Sequence, residues 1–147
     1  MLTSKTKYAL QALSHLARHR DQGPILIAQL ARAERIPQKY LERILLDLKR
    51  RGILQSRKGR GGGYQLNREP DAITIAEVVR LMDGPLAPVP CVSQTAYGHC
   101  VECHDERHCG IRAIMKEVRD AIADVLEHAT LADLVHAEKT GRYRHRS

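Results

Sequence analysis

The chain has 147 residues, which suits one domain with an appended segment. Its 43% hydrophobic and 28% charged residues give globular rather than disordered composition, and with no Trp or Phe and only five Tyr it has too few aromatics for a base-stacking surface or a Trp-lined carbohydrate platform. The net charge of +7 is unevenly held, with 15 Lys and Arg against 5 Asp and Glu in residues 1–70 and 9 against 12 in the remainder, so the first half points to a polyanion partner rather than a merely solubilising surface.

The first helical pattern covers residues 4–19, where Ala9, Leu13, Leu16 and Ala17 recur at helical spacing. Thr3 or Ser4 can cap its start, and Asp21-Gln22-Gly23-Pro24 ends it. A short second helix is predicted over 28–34, with Leu30 and Ala31 facing inward. Arg35-Ile36-Pro37 then turns the chain, and Pro37 suits the first position of a third helix over 37–51. In that helix Leu41, Ile44, Leu45 and Leu48 form an apolar stripe, with Lys39, Glu42, Arg43, Asp47, Lys49, Arg50 and Arg51 on the other face and Gly52 as the C-terminal cap. Two extended segments, 53–56 and 64–66, flank a basic, Gly-rich loop from Arg57 to Gly63 and predict a hairpin with a long tip. A fourth helix is expected over 74–82, ended by Asp83-Gly84-Pro85.

Residues 84–109 have no periodicity and carry all four cysteines, and an aperiodic stretch of this length is uncommon unless something orders it. The longest helix is predicted over 111–129. Its Ile111, Met115, Val118, Ile122, Val125 and Ala129 step as a heptad seam, widened by Ile114, Ala121 and Leu126, which predicts a dimerisation helix. Residues 130–135 add a short helical turn, and the tail 139–147 reads as basic and disordered. No apolar run approaches a membrane span and the N-terminus has no signal-peptide pattern, so the expectation is a soluble cytoplasmic protein without membrane contact.

Helix, short helix, tight turn, basic amphipathic helix and hairpin follow in the order of a winged helix-turn-helix. The expected fold is mainly α with a small β-hairpin: a winged helix-turn-helix domain in residues 1–83, a cysteine-rich cluster-binding loop in 84–110, a long dimerisation helix in 111–136 and a basic, disordered tail in 137–147. Candidate DNA contacts are Gln38, Lys39, Tyr40, Glu42, Arg43 and Arg50 of the third helix. Arg and Lys can bond guanine edges, Gln adenine and Glu cytosine, while Arg50 and Arg51, with Arg32 and Arg35, suit phosphates. In the hairpin tip, Arg57, Lys58 and Arg60 suit a narrow minor groove, and Gly61 with its neighbours lets the backbone approach DNA.

The cysteines Cys91, Cys100, Cys103 and Cys109 are spaced x8, x2 and x5. Without secretion such clustering points to metal or redox chemistry. Four soft thiolates suit either tetrahedral zinc or an iron–sulfur cluster, and spacing does not choose between them. Unligated thiols and a thiol/disulfide switch are the other readings, with Cys100 and Cys103 the nearest pair in sequence. His99, His104 and His108 are reserve ligands. Gly110 and Ile111 open the long helix just after Cys109, where a helix N-terminus favours an anionic thiolate. No paired carboxylates, nucleophile–base motif or cofactor fingerprint points to an enzyme. A subunit that binds a partner enzyme instead of DNA is a third possibility.

The segments LTSKTKYALQAL, IPQKYLERILLDLKRRGIL, KGRGGGYQL and ITIAEVVRLMDG, with the cysteine loop leading into a long helix, resemble the Rrf2 family of bacterial transcription regulators, which includes the IscR, NsrR and RirA types. The resemblance spans nearly the whole chain. It implies a homodimer with two DNA-binding heads on a roughly two-fold promoter site in double-stranded DNA, and an affinity set by a bound cluster. By the IscR-like pattern, Cys91, Cys103 and Cys109 take ligand places. The chain departs from its relatives at the fourth: Arg112 stands where IscR-like members have a His, and Lys7 where NsrR-like members have an Asp. Cys100 becomes the natural fourth ligand, and either a 2Fe–2S or a 4Fe–4S centre, or zinc as the alternative, remains open.

Overall fold

The structure is a computed structural model that describes residues 2–146. Helix α1 (Ser4–Arg18) is capped by Thr3, whose hydroxyl accepts from the Thr6 N–H at 3.3 Å. Helix α2 (Ile27–Glu34) ends on Arg35, held in the left-handed region at φ 56°, and Leu30 and Ala31 are buried as expected. Helix α3 (Gln38–Arg50) starts one residue later than the pattern suggested, with Pro37 outside it as the N-cap. Its end explains the position of Gly52, where a left-handed φ of 82° requires glycine. The Gly52 N–H bonds the Lys49 carbonyl at 2.9 Å and the Ile53 N–H bonds the Leu48 carbonyl at 3.0 Å, a Schellman motif with Leu48 and Ile53 both fully buried.

Strands β1 (Leu54–Arg57) and β2 (Gly63–Leu66) form an antiparallel hairpin, with Leu54 opposite Leu66 and Arg57 opposite Gly63. The segment before α2 extends this sheet by one bridge, in which Ile25 and Tyr64 exchange both backbone bonds at 2.8 Å. Helix α4 (Ile75–Asp83), capped by Thr74, packs on α1, and Leu13, Leu30, Leu41, Ile44, Leu45, Ile53 and Ile73 share one core with no exposure. Of these, Leu13, Leu30, Leu41, Ile44 and Leu45 are positions that the apolar pattern selects, and the winged helix-turn-helix is the observed fold.

The C-terminal third departs from expectation. Helix α5 (Gly110–His128) stops at Ala129, and a separate helix α6 (Leu131–Thr140) follows. The expected dimerisation helix over 111–136 is therefore two helices, and the expected disordered tail from 137 is helical as far as Thr140; Ser147 of that tail lies outside the described residues. The break is built by Thr130. Its hydroxyl accepts from the Asp133 N–H at 3.1 Å while Asp133 accepts from the Thr130 N–H at 2.9 Å, a capping box that starts a new helix. Backbone bonds at 2.8 Å from Ile75 to Ala129 and from Leu131 to Ile73 fasten this junction to the start of α4. Leu131 is thereby buried in the same core as Leu13, and Arg18 on α1 pairs with Glu138 on α6 at 3.5 Å. Helix α6 is a return element of the first unit rather than a continuation of α5.

Along α5 the side chains of Ile111, Ile114, Val118, Ile122 and Val125 remain exposed, Ile111 by 68% and Ile114 by 63%. Met115 is half-buried and Ala129 buried, so the predicted seam is solvent-facing from Ile111 to Val125 except at Met115 and is turned inward at its end.

Candidate functional site

Because α3 buries Leu41, Ile44, Leu45 and Leu48, its opposite face is forced outward. Gln38, Lys39, Tyr40, Glu42 and Arg43 of the first two turns are all exposed, as is Arg50 in the last turn. Among the described residues, Lys39, Arg43, Arg50, Arg57, Lys58 and Arg60 enter no ion pair. Their charge is therefore available to an external anion. Tyr40 meets the Tyr8 ring of α1 edge to face, with centroids 5.6 Å apart. Lys5 of α1, which the sequence patterns did not single out, lies beside the same helix and pairs with Asp47 at 3.4 Å.

The hairpin tip carries Arg57, Lys58, Arg60 and Gly61 fully into solvent. Its glycines serve different purposes. Gly59 has a φ of 84° and open space around it, whereas a Cβ on Gly63, at φ 136°, would lie 2.3 Å from the Ile25 carbonyl oxygen. Gly63 is what lets β2 close onto the Ile25 bridge. Replacing Gly63 with Ala is expected to cost about 2–3 kcal/mol in urea unfolding, because strain and backbone collision add. Gly59→Ala should cost about 1 kcal/mol. Equal costs for the two would contradict this account.

The cysteines are held by local turns. Cys91 is buried in a single 3₁₀ turn, Pro90–Val92, and the Gly98 N–H closes a loop onto the Pro90 carbonyl at 3.1 Å. The Cys103 N–H bonds the Cys100 carbonyl at 3.1 Å. Cys109 is the N-cap of α5, and its sulfur accepts from the Arg112 N–H at 3.4 Å, which meets the expected pairing of thiol and helix N-terminus. Partial burial and the neighbouring Cys91 thiol push the Cys100 thiol up, and partial burial with Cys109 nearby does the same for Cys103. All four are free thiols, and no three Cys, His, Asp or Glu side chains among the described residues converge in a metal-holding arrangement. Of the reserve histidines, His108 bonds Asp105 at 2.6 Å, His99 lies 3.9 Å from Glu106, and His104 is exposed.

Two arginines of α5 bear on this loop: Arg112, noted in the sequence only as standing at a ligand place it cannot fill, and Arg119, which no sequence pattern marks. Arg112 has its Nε buried with no hydrogen-bond partner, an orphan that a buried anionic group beside Cys109 would satisfy. Arg119, at the midpoint of α5, donates to the Val92 carbonyl at 2.8 Å and so ties α5 to the turn that holds Cys91.

Comparison with known proteins follows this geometry. Residues 2–137 match the Rrf2 family, described as iron-dependent transcriptional regulators. An Rrf2-like HTH-type transcriptional regulator of Rhodobacter capsulatus is 42% identical over 140 residues, 93% of either chain. The structure of CymR, the global cysteine regulator of Bacillus subtilis, superposes with a TM-score of 0.76 at 30% identity, covering 92% of this chain and 96% of that one. IscR of T. potens superposes with a TM-score of 0.73 at 25% identity, covering 98% and 92%. These relatives are named as regulators, not as enzymes. Among the described residues no helix is long and apolar enough to cross a membrane.

Proposed function

Because this chain belongs to the Rrf2 family of transcriptional regulators, we propose that it acts in the cytoplasm as a homodimer on a two-fold promoter site, with an iron–sulfur cluster on Cys91, Cys100, Cys103 and Cys109 setting its DNA affinity. The DNA-binding part is supported by the uncompensated cations on one face of α3 and on the hairpin tip. In this reading residues 1–83 with α6 form the head, 84–110 the cofactor loop and α5 the dimer contact. The first turns of α3 enter the major groove, where Gln38, Lys39, Glu42 and Arg43 reach base edges or adjoining phosphates. Arg50 holds the backbone, and the tip with Arg57, Lys58, Arg60 and Gly61 enters the flanking minor groove.

The exposed line Ile111, Ile114, Val118, Ile122 and Val125 meets the same line of a second chain. Ile122→Asp should raise the dimer dissociation constant at least about thirtyfold, since it buries an unpaired carboxylate. Sedimentation velocity checks this, and an unchanged dimer would contradict the assignment.

The cluster part is supported by the donor chemistry: four thiols on one loop, one of them capping α5, and the partnerless Arg112 Nε in the first turn of that helix. Cys91, Cys100, Cys103 and Cys109 would hold the cluster, which would supply oxidant-sensitive iron–thiolate bonds and so keep the loop in one arrangement. Val92 and Arg119 then carry the position of the Cys91 turn to α5, and α5 sets the spacing of the two heads. A second reading, a thiol/disulfide switch among these free thiols, is favoured by the similarity to a protein named as a cysteine regulator. Zinc on the same thiols is the remaining alternative.

Selection from a random duplex library tests the DNA reading. The expected outcome is enrichment of paired half-sites about one helical turn, or a multiple, apart. Failure to enrich any duplex over competitor would contradict it.

A further inference from the structure

The groove-facing helix has a cavity on its α1 side. It has a volume of about 420 Å³ and is lined by Lys5 of α1 and by Lys39, Tyr40, Arg43 and Ile44 of α3. Three cationic side chains and a phenol therefore surround one space over an apolar floor, since Ile44 is fully buried. Like charges this close repel one another unless an anion joins them. Only Lys5 has a carboxylate partner among the described residues, Asp47, which leaves the pocket with excess positive charge. The walls are also fixed. Tyr8 holds the Tyr40 ring edge-on, and the start of α1 is tied to the end of α4 through the Thr3 N–H, which donates to Asp83 at 3.2 Å.

We propose that Lys5, Lys39, Tyr40 and Arg43 form a binding site for one DNA backbone phosphate, so that α1 contributes a contact to DNA. The inference rests on the DNA-binding reading above and deepens it. A phosphodiester carries a single negative charge and several acceptor oxygens, which suits donors arriving from two helices. A helix lying in the major groove has a sugar-phosphate wall along each flank, and Tyr40 and Lys5 mark the flank on which α1 lies. The site fixes how deeply and at what angle α3 sits, while Gln38 and Glu42, on the opposite flank of the helix, are left to read base edges.

The test is equilibrium binding of Lys5→Ala to a selected site and to random duplex across a salt series. Lys5→Ala should weaken both by a similar factor, about three- to tenfold. The slope of log affinity against log salt should fall by about 0.9. Lys5→Ala/Asp47→Asn removes the pair together, so a loss that persists there is not repulsion by a bare Asp47. Lys5→Arg should retain most of the affinity and the full slope. Unchanged affinity and slope in both alanine variants would overturn the site, and so would a loss confined to the selected sequence. A parallel Arg57→Ala/Lys58→Ala/Arg60→Ala variant separates the two readings. If it loses binding while Lys5→Ala does not, only the phosphate site fails; if neither loses binding, the DNA-binding reading itself fails.

Discussion

Replacing Cys103 with Ala is expected to strip the chain of iron and visible absorption while leaving a folded dimer. Cys103 is half-buried and lies outside the hydrophobic core, and its N–H bonds the Cys100 carbonyl at 3.1 Å. Its side chain therefore supports no core packing, and the folding cost of its loss is small. A cluster with three of its four thiolates has an open iron position exposed to water, so retention should fall by more than about tenfold. Cys109→Ala should lose iron in the same way, with an added cost of a few tenths of a kcal/mol to about 1 kcal/mol, because Cys109 also caps α5 through the Arg112 N–H. Sedimentation and iron analysis on one preparation separate the two effects. Iron content equal to that of the unsubstituted chain would show that the ligand set is wrong.

The second large effect belongs to the hairpin tip. Arg57→Ala/Lys58→Ala/Arg60→Ala should weaken duplex binding by about a hundredfold at moderate salt and lower the salt slope by about 2 to 3, one increment for each displaced counterion. All three side chains are exposed and free of ion pairs among the described residues, and the turn is shaped by Gly59, Gly61 and Gly63 rather than by them. The variant should therefore unfold at the same urea concentration as the parent. A loss of affinity matched by a loss of stability would point to the hairpin's packing instead of its charge.

Much of the head was legible because each of its signals was local. The stripe Leu41, Ile44, Leu45 and Leu48 has helical period, and Gly52 stands where a Schellman motif needs a left-handed residue, so α3 and its end followed from a few adjacent positions. The hairpin was read one residue early because Ile53 completes the helix cap before the strand begins.

The C-terminal third depended on contacts between distant segments. The short helical turn expected over 130–135 is the start of α6, but nothing nearby shows that Leu131 is buried with Leu13 and the helix carried on to Thr140. In the cysteine loop Cys100 and Cys103 are neighbours in sequence and share a turn, whereas the bond from the Gly98 N–H to the Pro90 carbonyl, which folds the chain back onto the Cys91 turn, has no local signal. Lys5 and Arg119 have no motif at all, and Arg112 is marked only as a ligand place it cannot fill. Their significance is visible only once α1 lies along α3 and α5 lies against the Cys91 turn.

The measurement that tests the central claim most directly is a visible absorption spectrum of the chain purified without oxygen and reconstituted with iron and sulfide, with iron, acid-labile sulfide and zinc assayed on the same sample. The account predicts coloured protein holding iron and sulfide in matching amounts. Colourless protein holding about one zinc per chain, or none of the three, would contradict cluster control and leave the thiols to zinc or to a disulfide.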